Sequence, residues 1–177
     1  VNGIGYRIMS KVDLKDKRIL EIGAGDIRHM KYWKNFPEKY IIADVSTDMM
    51  QFAVQTLNKN SIPHEKIFLK RNQSLPLKDN SIDIIISFYS LEHLNPIDFF
   101  LTDFKRVLKK GGILVGAIPA EGGLAWGLGR MLTTRKWFLK NTNINPDKII
   151  CWEHPNFSDE LILDMNSHLK RKKIRYW

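Results

Sequence analysis

The chain has 177 residues, enough for one domain with a real hydrophobic core, and is 44% apolar and 27% charged, as a globular protein is. No apolar run approaches the ~20 residues of a membrane-spanning helix, and no charged-then-apolar secretory leader is read at its start. Cys151 is the single cysteine, which excludes an internal disulfide and fits a reducing compartment, so a cytoplasmic location is expected. Net charge is +9, and residues 130–177 hold ten Lys/Arg against five Asp/Glu, with Lys170-Arg171-Lys172-Lys173 and Arg175 at the end. Such a run reads as the solvated end of a helix, or as a surface for phosphate, nucleic acid or an anionic membrane.

Strand and helix signals alternate, which predicts an α/β domain around a mostly parallel sheet. Arg18–Ile22 reads as the first strand, followed by a turn on Gly23 and Gly25 and a helix over Ile27–Trp33. Tyr40–Ala43 is the second strand, ending in Asp44. Ser46 or Thr47 caps the next helix, with Met50, Ala53, Val54 and Leu57 at helical spacing. Lys66–Leu69 is a short third strand, and the β-branched run Ile82–Ser87 a fourth, covered on both faces. Asn95 as cap and Pro96 as first helical residue open a helix with a buried stripe of Ile97, Phe100, Phe104, Val107 and Leu108. Lys109-Lys110-Gly111-Gly112 ends it with a left-handed glycine cap, and Ile113–Ile118 is the fifth strand. The glycine- and aromatic-rich stretch that follows, 120–156, reads as a lid or substrate loop. Ser158 caps a last helix, Asp159–Leu169, and Lys173–Trp177 is a candidate sixth strand.

The chemistry gathers at strand ends. A strand, a glycine turn and an acid about 20 residues on is how Rossmann-like folds hold a nucleotide, the acid accepting ribose hydroxyls. Glu21 precedes the turn and Asp44 is the acid beyond it. The acid at Glu21 points to a cationic or hydroxyl-rich ligand. Arg28 stands where the dinucleotide pattern G-x-G-x-x-G has its third glycine, which counts against a nicotinamide-dependent oxidoreductase.

Glu21-Ile22-Gly23-Ala24-Gly25, Leu75-Pro76-Leu77-Lys78-Asp79-Asn80-Ser81-Ile82-Asp83, Leu91-Glu92-His93-Leu94 and Arg106-Val107-Leu108-Lys109-Lys110-Gly111-Gly112 occur in that order. Together, from about Lys17 to Ile118, they resemble the class I S-adenosylmethionine-dependent methyltransferases, in their small-molecule, type 11 branch. The resemblance implies a Rossmann-like three-layer sandwich with one reversed strand. That last strand is expected to be missing, since the chain ends near the sixth. It also implies S-adenosylmethionine as methyl donor. It places Glu21, Gly23, Ala24 and Gly25 around the cofactor's methionine part and ribose, Asp44 on the ribose hydroxyls and Val45 on the adenine. Ser87 and Phe88 would line the path to the transferred methyl, and His93 matches the family's histidine after the fourth strand. Ile27 occupies a position where many members have a further glycine. Arg71-Asn72-Gln73 replaces the usual acid for the adenine amino group, leaving Asn72 as the acceptor there.

Methyl transfer needs a base only where the acceptor must lose a proton. His93 and His154 are the catalytic candidates, with Tyr89 and Glu121 behind them. His93 also reads as a structural histidine. Cys151 and His154 are two ligands where zinc wants four, so no metal is expected. Trp126, Trp137 and Phe138 either wall a substrate pocket or cover the sheet. Exposed beside Arg130, Arg135 and Lys136, they would instead form an amphipathic surface for peripheral membrane contact.

The expected function is transfer of a methyl group by in-line displacement to a small-molecule or carbohydrate-like acceptor. Two alternatives stand beside it: a non-catalytic S-adenosylmethionine-binding accessory subunit, and a methyltransferase acting on nucleic acid. The latter is disfavoured because Ser87-Phe88-Tyr89-Ser90 lacks the Pro-Pro-aromatic motif of exocyclic amine methylation.

Overall fold

The computed structural model describes residues 2–70, 72–119, 140–142 and 156–175. A short helix α1 (Asn2–Tyr6) and a 3-10 turn (Arg7–Lys11) lead into β1 (Arg18–Ile22). After it come a 3-10 turn (Arg28–Tyr32), β2 (Lys39–Asp44), α2 (Thr47–Lys59), β3 (His64–Phe68) and β4 (Ile82–Phe88). A 3-10 turn (Leu91–His93), α3 (Ile97–Val107), β5 (Leu108–Ala117) and α4 (Ser158–His168) complete the described elements.

Among the described residues the sheet has five strands, all parallel, in the order β3-β2-β1-β4-β5. Alternation along the strands divides the apolar side chains between two faces. Leu20, Ile22, Ile41 and Ile85 pack under Phe100, Leu101 and Phe104 of α3 and Leu161 of α4. Ile19, Tyr40, Ile42, Ile84 and Ile86 pack under Met50, Ala53 and Leu57 of α2 and under Met9 and Leu14 of the N-terminal segment. Two cores on one sheet make the three-layer, Rossmann-like sandwich that the alternating pattern predicts.

Several boundaries differ from the sequence reading for local reasons. The helix expected over Ile27–Trp33 is a 3-10 turn, because Ile27 sits in the left-handed region and the N–H groups of Ile27, Met30 and Trp33 each reach back three residues. Pro96 is the extended residue before α3, so Ile97 is its first helical residue. That helix stops at Val107, and Leu108 already belongs to β5, paired with Ile82. Gly111 does take a positive φ, of 82°, but within β5, whose pairing with β4 is irregular between Ile82 and Ile84. The third strand starts earlier, at His64, to match Tyr40 on β2. Ser46 caps α2 as expected, accepting from the Met49 N–H at 3.3 Å, whereas Ser158 is the first residue of α4 and Phe157 precedes it without a side-chain cap. Residues 173–175 form no strand, and 176–177 lie outside the described residues. The N-terminal helix gave no sequence signal.

Candidate functional site

Strand β1 lies between β2 and β4, so the chain leaves β1 to one side and returns on the other. The turns beyond the carboxyl ends of β1, β2 and β4 therefore surround one crevice, the place where open α/β sheets bind ligands. The sequence-predicted residues Glu21, Gly23, Ala24, Gly25, Asp44, Val45, Ser87 and Phe88 all lie on these strand ends or the turns just beyond.

Glu21 lies beneath the crevice and is only 1% exposed. Its Oε1 bonds His29 Nε2 at 2.7 Å, and its Oε2 accepts from the Tyr40 hydroxyl. Trp33 Nε1 donates to His29 Nδ1 at 2.9 Å. An indole can only donate, so Nδ1 accepts and Nε2 carries the proton that His29 gives to Glu21. Burial pushes the Tyr40 phenol well above its ordinary range, and the neighbouring Glu21 charge adds to this. Both Glu21 oxygens are thus satisfied by protein donors, as a buried carboxylate requires. His29, Trp33 and Tyr40 were missed in the sequence, where His29 and Trp33 offered only their i, i+4 spacing.

Above this network the turn is held by a second one. Ser90 Oγ donates to the Ile22 carbonyl at 2.7 Å and therefore accepts from Ser87 Oγ, also at 2.7 Å. Gly23 and Gly25 have φ of 68° and 53°, values that favour glycine. A Cβ on Gly25 would meet nothing within 4 Å, so space stands open beside it. Ile27, with φ of 54°, is buried in the core under α2, and its left-handed backbone is uncommon for a β-branched residue.

Asp44 ends β2. Its Oδ1 accepts from the Ser46 N–H at 2.8 Å, which fixes the carboxylate. Burial raises its pKa above the ordinary aspartate value, against the lowering effect of the Ser46 and Val45 N–H groups. Val45 follows, an apolar side chain left 62% exposed, and Phe68, in register with Asp44, is exposed on the adjacent strand end. Asn72 is exposed with φ of 58°. An anchored carboxylate, an uncovered apolar shelf and open space over a glycine are what a ribose, a planar base and a close-approaching backbone require, so these residues fit a nucleoside-bearing cofactor.

Phe88 is buried at the end of β4, 4.9 Å from the His29 ring. Tyr6 of α1 reaches over to it, at 5.0 Å, and to Tyr89, at 5.8 Å. Tyr6 lay in no motif, whereas Tyr89 stood among the base candidates of the sequence. The His93 side chain is 46% exposed on the 3-10 turn, with Nε2 3.9 Å from Glu92 Oε1. Asn156 Nδ2 faces the carbonyls of Leu91, Glu92 and Leu94 at 3.3, 3.2 and 2.6 Å, pinning the turn that carries His93. His154, Cys151, Glu121, Trp126, Trp137 and Phe138 lie outside the described residues. So does most of the 120–156 stretch. A cavity of ≈ 390 Å³ lined by Met30, Trp33, Phe36 and Asn60 shares no lining residue with the predicted site.

A family model described as a methyltransferase domain matches residues 20–116, more than half of the chain. The chain belongs to the methyltransferase-domain family. Within class I S-adenosylmethionine-dependent methyltransferases, its curated relatives include a malonyl-[acyl-carrier protein] O-methyltransferase of Hamiltonella defensa, 24% identical over 68% of this chain and 45% of the relative. The ubiquinone/menaquinone biosynthesis C-methyltransferase UbiE of Campylobacter jejuni is 32% identical over 62% of this chain and 47% of its own length. The chain thus spans about half the length of these relatives. A solved structure of a putative methyltransferase from Bacillus halodurans matches 92% of this chain and 66% of its own at a TM-score of 0.65 and 17% identity, a likeness of fold. S-adenosylmethionine is the cofactor of this methyltransferase family, and among the described residues no helix is long and apolar enough to cross a membrane.

Proposed function

We propose that this methyltransferase chain binds S-adenosylmethionine in the crevice over β1, β2 and β4 and transfers its methyl group to a small-molecule acceptor. The observation that carries the reading is the Asp44 carboxylate, fixed by Ser46 beside the exposed Val45, on the strand next to the one whose turn leaves open space at Gly25. A carboxylate offers acceptors for two neighbouring hydroxyls, and such charge-assisted bonds are strong. Val45 packs against the adenine, and Asn72 accepts from its amino group. The main chain at Gly23, Ala24 and Gly25 approaches the methionine part. Glu21 braces the turn from below through His29 and Tyr40. Ser87 and Phe88 form the wall toward the acceptor.

S-adenosylmethionine, when bound, supplies a methyl group already activated on a sulfonium. The protein's share is alignment of acceptor, methyl and sulfur, which is worth ~7–11 kcal/mol of barrier for well-oriented groups. Where the acceptor is a hydroxyl or another group that must lose a proton, we assign the base to His93, exposed at the rim, or to His154. The names of the relatives support acceptors outside nucleic acid: malonyl-[acyl-carrier protein] for one and a quinone-biosynthesis intermediate for the other.

Calorimetric titration with S-adenosylmethionine, S-adenosylhomocysteine and NAD tests the reading. Micromolar binding of the first two and none of NAD is expected, with loss of both in Asp44→Ala. Unchanged affinity in that variant would remove the ribose assignment, and absence of binding in the wild type would remove the site.

A further inference from the structure

Tyr6 touches both of the turns that flank the crevice. Its ring meets Phe88 and Tyr89 edge-on, both at 76°, where β4 ends. It lies 6.1 Å from His29, which supports the glycine turn, and within electrostatic reach of Asp26, Glu21 and Arg28. Four rings, of Tyr6, His29, Phe88 and Tyr89, therefore gather at the junction of the β1 and β4 turns. Phe88 and His29 are buried, whereas Tyr6 and Tyr89 are partly exposed at the rim. Tyr89 takes a φ of 57°, a backbone conformation that is uncommon outside glycine.

The two carboxylates within reach of Tyr6 are already engaged, and Glu92 lies within electrostatic reach of Tyr89. Glu21 is held by His29 and Tyr40, and Asp26 by Arg28 at 2.8 Å. A cation entering between these turns meets aromatic side chains, and the face of an aromatic ring attracts a cation through its quadrupole. A neutral ligand of the same shape gains only packing there.

We propose that Tyr6, together with Tyr89, is a charge-reading wall for the sulfonium of S-adenosylmethionine, holding the cationic donor more tightly than its neutral demethylated product. The inference rests on the assignment of this crevice as the S-adenosylmethionine site. It gives the N-terminal helix a role: α1 carries the specificity-determining ring across to β4. It also favours turnover, since attraction to the rings is lost once the methyl group has left and the sulfur is neutral.

Calorimetric titration of wild type, Tyr6→Phe and Tyr6→Leu with S-adenosylmethionine and with S-adenosylhomocysteine tests it. Tyr6→Leu is expected to weaken S-adenosylmethionine ~5–30-fold, the span of a desolvated cation–π contact, and to leave S-adenosylhomocysteine within about twofold. Tyr6→Phe keeps the ring and is expected to bind both ligands as wild type does. Equal weakening of both ligands in Tyr6→Leu makes the ring simple packing and overturns the proposal. So do an unchanged donor affinity in Tyr6→Leu and a loss in Tyr6→Phe, which would put the hydroxyl in charge. Thermal melts check that the variants fold, and Tyr89→Leu, read in the same way, replaces Tyr6→Leu if the latter does not. Failure of the site assignment looks different: the wild type then binds neither ligand.

Discussion

Ser90 is seated directly on Gly23. A Cβ added to Gly23 would lie 2.5 Å from Ser90 Cβ and 2.8 Å from Ser90 Oγ, while that same hydroxyl donates to the Ile22 carbonyl at 2.7 Å. The turn after β1 and the turn after β4 are thereby fastened to each other, and the crevice between them has a fixed floor.

The two glycines of the turn are expected to fail differently. Gly23→Ala meets both a left-handed backbone, about 1–2 kcal/mol, and an overpacked contact, about 1–3 kcal/mol. Gly25→Ala meets only the backbone cost, because nothing stands within 4 Å of its added Cβ. Urea unfolding should rank Gly23→Ala as the less stable. Titration with S-adenosylmethionine should find Gly25→Ala impaired beyond what its stability explains, since the proposed cofactor site includes the open space there. A reversed order in unfolding would mean that Ser90 yields readily.

Tyr40→Phe removes the donor from Glu21 Oε2 and leaves a buried acceptor unsatisfied, at a cost of about 1–3 kcal/mol. The same bond predicts alkaline sensitivity. The folded-state pKa of Tyr40 is raised above its ordinary 10.0, so its contribution is complete below that value and is lost as pH rises beyond it, when the unfolded chain ionises first. Unfolding free energies measured from neutral pH to above 10 should fall more steeply for wild type than for Tyr40→Phe. Parallel curves would show that the phenol is not the group responsible.

Binding of S-adenosylmethionine should weaken as pH falls, with a midpoint above that of an ordinary aspartate. Burial raises the Asp44 pKa, so the carboxylate takes up a proton at a higher pH than usual and loses acceptor capacity toward the ribose hydroxyls of the proposed site. Asp44→Asn should bind weakly at all pH values and flatten the profile. A profile that persists in Asp44→Asn would assign the titration to another group.

Arg106 makes a further prediction. Its Nε donates to Asp103 Oδ1 at 2.7 Å, and its other nitrogens reach the Leu77 and Leu75 carbonyls at 2.7 and 3.0 Å and Asp79 at 2.7 Å. Asp103 Oδ2 in turn accepts from the Leu75 N–H at 2.6 Å. Lysine lacks the planar fork, so Arg106→Lys should cost about 1–3 kcal/mol. Hydrogen exchange should quicken at Leu75 and Leu77 in that variant; unchanged protection there would remove the clamp from the account.

Much of the fold was legible because its signals are local. The five apolar runs and the Met50–Ala53–Leu57 spacing are consequences of strand and helix periodicity, which neighbouring residues alone set. Boundaries failed where a distant partner outvoted a neighbour. Leu108 fits the helical stripe of α3, yet the free edge of β4 draws it into β5 opposite Ile82. The glycine expected after Gly25 in this family is Ile27, and the chain still takes the left-handed turn there, because burial of the isoleucine in the core under α2 offsets the backbone cost. In the site, Asp44 and the glycine turn could be read from spacing. The engagement of Glu21 with His29 and Tyr40 could not, because Tyr40 comes from another strand and Trp33 reaches back through a turn that is too tight to be an α-helix.

The sequence by itself determined the layer architecture and which residues fall at the strand ends and glycine turn, since periodicity, turns and motif spacing are properties of short segments. The tertiary structure decided which of those residues face outward. It buried Glu21 under the turn, left Val45 uncovered, seated Ser90 on Gly23 and carried Tyr6 across to Phe88 and Tyr89. These outcomes depend on contacts between segments far apart in the chain, where a carboxylate must find donors and a ring must find a partner, and no local pattern records which ones will meet.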